Sequence, residues 1–173
     1  MKTMNQRTTL TITTMAFLCL GIAFPASNAL GQEKTLKELI VGTWLLDSIY
    51  DQTEDGIKHD TWGPGVKGIA IFDGTDHMSI QIIAGDRSKS ASNSSRTPVG
   101  QAIGYFGTYT VDEAAKTTTY HIELCSFPQW DGIDRIVGIV FPTDSELDII
   151  GVTPIQDPSM GPFIPHLVFK RAK

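Results

Sequence analysis

His121 and Glu123 are the residues of this chain whose types and spacing come nearest to acid–base chemistry. Two positions apart on a strand they share a face, and a carboxylate beside an imidazole orients the ring and raises its basicity. On the other face of the same strand, Tyr120, Ile122 and Leu124 look like the packed side. His121 and Glu123 therefore either face solvent or point into a polar patch inside a cavity. Downstream, Phe127, Pro128 and Trp130 form an aromatic segment that could cover a cavity mouth, stack on a flat ligand or seal a core. Tyr105, Gly107 and Tyr109 share a strand face, where the glycine either leaves space between two phenols or marks a bend.

Stronger signatures do not occur in the sequence. It has no phosphate loop, no Gly-x-Ser-x-Gly elbow, no His-Glu-x-x-His and no paired Cys-x-x-Cys. The four histidines, His59, His77, His121 and His166, lack metal-ligand spacing. The expectation is no metal, no other cofactor and no identifiable catalytic residue. A net charge of −5 and the lack of a basic stripe argue against nucleic acid as a partner.

Residues 1–31 read as a secretory signal peptide. Lys2 and Arg7 supply the positive start, residues 10–24 the apolar run, and Ser27, Ala29 and Gly31 the small residues of a cleavage site. The run is shorter than the roughly 20 residues that span a bilayer, so no membrane span is expected after cleavage. Cys19 lacks the small residues that precede a lipidated cysteine. The expected location is secreted or periplasmic. Cleavage leaves Cys125 as the one remaining cysteine, so no internal disulfide can form.

Residues 32–173 then form one domain of about ordinary size. Thr35 and Glu38 make a capping box for a helix of about two turns that ends before Gly42. From there the pattern is strand and turn. Strands are expected at 43–50, 68–72, 78–83, 105–111, 117–125, 135–141, 146–152 and 166–171, joined mostly by short polar turns. Asp51 and the polar residues after it read as a turn, and residues 153–165, rich in proline, as rigid coil. Residues 85–102, rich in serine, read as a lid or disordered insert, and contain the formal sequon Asn93-Ser94-Ser95. Eight strands with local connections imply an all-β, up-and-down antiparallel barrel with a short N-terminal helix, because closure removes unpaired edges.

Gly42-Thr43-Trp44 resembles the Gly-x-Trp opening of lipocalins. A closer resemblance is to the bacterial and fungal lipocalin-like domain family. It is carried by residues 39–44, by Asp73-Gly74-Thr75-Asp76-His77-Met78-Ser79, by residues 104–112, and by His121, Glu123, Phe127, Pro128, Trp130, Gly132 and Arg135. Two departures are Cys125 in place of a small residue, and Tyr120 where many relatives have a second histidine. The 85–102 stretch also replaces a helix that relatives carry there. The resemblance spans residues 36–171 and implies a calycin-type barrel with a small apolar or aromatic ligand. It also implies that Trp44 packs near the barrel base under a cation from the last strand, Lys170 or Arg171. The ligand-lining candidates are Tyr105, Tyr109, His121, Glu123, Trp130 and Arg135. Three functional classes follow: an exported protein binding a small hydrophobic ligand, an isomerase or cyclase using His121 on an apolar substrate, or an interaction module without a ligand.

Overall fold

The computed structural model describes residues 33–87 and 100–173. The expected signal peptide and most of the 85–102 stretch, with its sequon, lie outside the described residues.

Helix α1, Leu36–Ile40, is followed by ten strands: β1 Gly42–Thr53, β2 Lys58–His59, β3 Lys67–Phe72, β4 His77–Ile83, β5 Ala102–Asp112, β6 Thr117–Cys125, β7 Asp134–Thr143, β8 Glu146–Gly151, β9 Ile155–Asp157 and β10 Gly161–Arg171. All pairings are antiparallel, in the order β2-β1-β3-β4-β5-β6-β7-β8-β10-β9. A further β1–β10 ladder closes the sheet. The barrel proper has eight strands, with β2 and β9 as short additions at one rim. Closure leaves the barrel strands without a free edge.

The eight expected strands are all present, most extended by a few residues. The expected coil at 153–165 is a correction: it contains β9 and the first half of β10. Pro162 pairs with Gln156, and Pro165 pairs with Asp51 of β1. Proline lacks the N–H a ladder needs, and the β8–β10 ladder accordingly stops at His166↔Ile150, one residue before Pro165. Gly151 leaves room there, since a β-carbon on it would stand 2.7 Å from Pro165 Cδ.

Two bulges decide which side chains enter the barrel. In β1 the register skips between Leu46 and Ser48, so Trp44 and Leu46 face inward, and after the extra residue Ile49 and Asp51 do. In β6 the partner of Phe106 is Leu124 and that of Gly107 is Ile122, which leaves Glu123 unpaired. An extra residue inverts the two-residue period. Leu124 is therefore exposed rather than packed with Tyr120 and Ile122. Gly107 marks this bulge: a β-carbon there would stand 2.0 Å from the His121 carbonyl oxygen.

One end of the barrel is plugged. Thr35 and Glu38 form the expected capping box on α1, and the Glu113 carboxylate accepts from the amides of Leu36 and Lys37 at 2.8 and 2.9 Å. Ile40 enters the core, and the Trp44 indole donates to its carbonyl at 2.8 Å. Trp44, Phe72, Tyr109, Leu147 and Phe169 fill this half of the interior.

Candidate functional site

The other end is not filled. Following each strand away from α1 leads to Asp51, Ile82, Tyr105, Arg135 and Phe163, which surround a cavity of about 320 Å³ in the barrel mouth. Aliphatic side chains from β1, β4, β5 and β10 form its wall: Ile49, Ile82, Ile103 and Leu167. Trp62 and Met160 reach it from the loops at the rim. A concave, mostly apolar space with few polar groups is the usual form of a small-molecule site.

An aromatic and cationic wall stands on β5, β7 and the segment after β6. Tyr105 points inward from β5 and is almost wholly buried. Its ring meets Trp130 edge to face, with centroids 5.7 Å apart. Trp130 ends the 3₁₀ helix Pro128–Trp130, where Phe127 packs against it at 5.8 Å. That loop is fixed at both ends. Ser126 N donates to Gly104 O at 2.8 Å, and Cys125 N donates to Asp131 Oδ1 at 2.7 Å. The Arg135 guanidinium lies 3.8 Å from the centre of the Trp130 ring, a cation–π contact.

The opposite wall is acidic. Asp51 is buried and accepts from Thr61 Oγ1 at 2.5 Å. Burial pushes its pKa above the ordinary 3.8, against the lowering effects of the Thr61 hydrogen bond and His59. Asp157 accepts from Ser159 N and Oγ and from Met160 N, and these bonds hold its pKa below the usual value. On the outer side of β1 and β10, the Tyr50 and His166 rings stack at 4.8 Å, with Lys58 over Tyr50 at 4.1 Å.

The six candidate ligand-lining residues divide evenly. Tyr105, Trp130 and Arg135 line the cavity. Tyr109 does not. It is sealed in the plugged half, where its hydroxyl donates to Asp73 O at 2.9 Å. His121 and Glu123 are a correction as well: they lie on the outer wall. His121 Nδ1 is 2.8 Å from Asp134 Oδ1, and its Nε2 is 3.5 Å from Thr110 Oγ1. The carboxylate that orients the imidazole is therefore Asp134. Glu123 is exposed at the bulge. The cation over Trp44 is Arg171, 4.1 Å from the ring centre, while Lys170 points outward to Asp47 at 2.9 Å.

Several lining residues escaped the sequence reading. Asp51 opens a polar run with the composition of a turn, and only the parity change between Leu46 and Ile49 signals the bulge that brings it inside. Thr61, Trp62, Met160 and Phe163 come from segments with no apolar period, and no local pattern marks them.

The lipocalin-like domain family model matches residues 41–157, and the chain belongs to that family. No curated protein sequence matches it.

Proposed function

We propose that this lipocalin-like barrel is an exported binding protein that takes a small, largely apolar ligand into its open end. The observation that carries this reading is the division of the interior: side chains fill the half beside α1, and a cavity of about 320 Å³ occupies the other half. Aliphatic and aromatic groups lining such a space favour an apolar occupant, because its burial removes apolar surface from water. Export rests on residues 1–31, with their basic start, apolar run and small residues at the expected cleavage point.

Native mass spectrometry of unheated protein, followed by titration with N-phenyl-1-naphthylamine, tests the binding reading. Trp62 and Trp130 line the cavity, so an occupant changes their fluorescence. A captive mass released on denaturation, or saturable changes in tryptophan and probe emission, supports it. A protein with neither overturns it. For export, the full chain made in a secreting host should yield a product beginning at Leu30 or Gln32. A product in the culture or periplasm that still begins at Met1 contradicts cleavage.

A further inference from the structure

The cavity contains polar groups of both signs, and they differ in whether the protein already uses them. The carboxylates are occupied: Asp51 by Thr61, and Asp157 by Ser159 and Met160. The donors on the opposite wall are not. Among the described residues Arg135 makes no ion pair and is held by its stack on Trp130. Behind that wall, Tyr120 is fully buried, and its hydroxyl has no hydrogen-bond partner. A buried hydroxyl without a partner is costly and uncommon in a native interior.

These groups are neighbours. Tyr120 and Arg135 are directly paired across β6 and β7, and both side chains fall on the inner face. The Tyr120 and Tyr105 rings have centroids 6.3 Å apart, and Tyr105 lines the cavity beside Arg135. Arg135 and Tyr105 thus line one wall of the cavity, and Tyr120 lies behind them in the packed interior rather than on its surface. The complement of a guanidinium beside a phenol is an oxyanion, which accepts several hydrogen bonds and balances the charge.

Resting on the reading that the cavity takes an apolar ligand, we propose that this ligand is a small carboxylic acid with an apolar body, its carboxylate held by Arg135 and Tyr105. The body lies along Ile82, Ile103 and Leu167. A single cation matches a monoanion, and Asp51 and Asp157 across the cavity repel a second negative charge and turn the acid end toward Arg135. Tyr105 remains a donor at neutral pH, since burial raises its pKa to about 12.

The test is calorimetric titration of the full-length chain with 2-naphthoate and with its neutral counterpart 2-naphthamide. The native protein should bind the acid about tenfold or more tightly than the amide, the size of a charge-assisted hydrogen bond. Arg135→Met should abolish that preference, so that acid and amide bind with equal affinity. Tyr105→Phe removes one oxygen from a ring that otherwise stays in place, and should reduce the preference by about threefold or more without lowering the melting temperature of the ligand-free protein. Equal affinity of the native protein for acid and amide overturns the carboxylate assignment and leaves the apolar-ligand reading intact. Binding of neither probe overturns both. If Arg135→Met loses the amide too, Tyr105→Phe decides: an undiminished preference overturns the assignment.

Discussion

Arg171 occupies the space that a side chain at position 42 would need: a β-carbon on Gly42 would stand 2.5 Å from Arg171 Nη1. The guanidinium is fixed there by three carbonyls, those of Val41 at 2.8 Å, Leu39 at 2.6 Å and Asp144 at 3.0 Å. Two of them belong to the C-terminal end of α1, where helix carbonyls lack internal partners. Gly42 has φ +144°, which also favours glycine. The last strand, the helix and the first strand are thereby joined at the plugged end.

Replacing either member should loosen that end. Gly42→Ala is expected to cost about 1–3 kcal/mol through strain and displacement of the guanidinium. Arg171→Met should cost about 1–3 kcal/mol, since it leaves the half-buried carbonyls of Leu39 and Val41 unpaired. Arg171→Lys should recover little, because an ammonium cannot span three carbonyls in a planar fork. Urea unfolding reads all three, and an unchanged midpoint for Arg171→Met would refute the capping role.

Tyr109 and Trp130 should separate stability from binding. Tyr109→Phe removes the bond to Asp73 O and should cost about 1 kcal/mol of stability, with probe affinity unchanged. Trp130→Ala opens the cavity wall and removes the platform under Arg135, so probe affinity should fall by about tenfold. Paired unfolding and fluorescence titrations check this. A loss of binding in Tyr109→Phe would place the ligand deeper than the mouth.

Asp51 should make the protein more stable with the proton on. Burial raises its folded pKa above 3.8. Its stabilising share is thus complete below that value and is lost as pH rises through the folded pKa. Asp51→Asn keeps an acceptor for Thr61 and removes the buried charge. The variant should melt higher than the native protein at about pH 7, with the gain disappearing near pH 3. Calorimetry at the two pH values checks it, and a gain independent of pH would exclude the charge as its cause.

His166 should titrate below the ordinary 6.5, first because of burial and second because of the Lys58 charge. The sign is the reverse of the Asp51 case. Its contribution to stability is present above 6.5 and is lost as pH falls through the lower folded value. Imidazole NMR resonances give the midpoint, and Lys58→Gln should move it upward. A midpoint at or above 6.5 in the native protein would mean that the ring is more hydrated than its stack on Tyr50 implies.

Local order along the chain is enough to read the strands, the turns and the helix start. Alternating apolar residues placed eight strands, Asp73-Gly74 and its counterparts placed the turns, and Thr35 with Glu38 placed the helix start. The resemblance of Gly42-Thr43-Trp44 to lipocalins implied a cation from the last strand over Trp44, though not which base covers the indole. Tertiary structure decided what enters the barrel. Strand period fixes a face only while the register is unbroken, and one extra residue in β1 and one in β6 exchanged inside for outside. Asp51 therefore turned inward, Leu124 turned outward, and Glu123 was left exposed and unpaired at the bulge. The cavity also draws Thr61, Met160 and Phe163 from segments far apart in the chain, and only closure of β10 onto β1 brings those rims together.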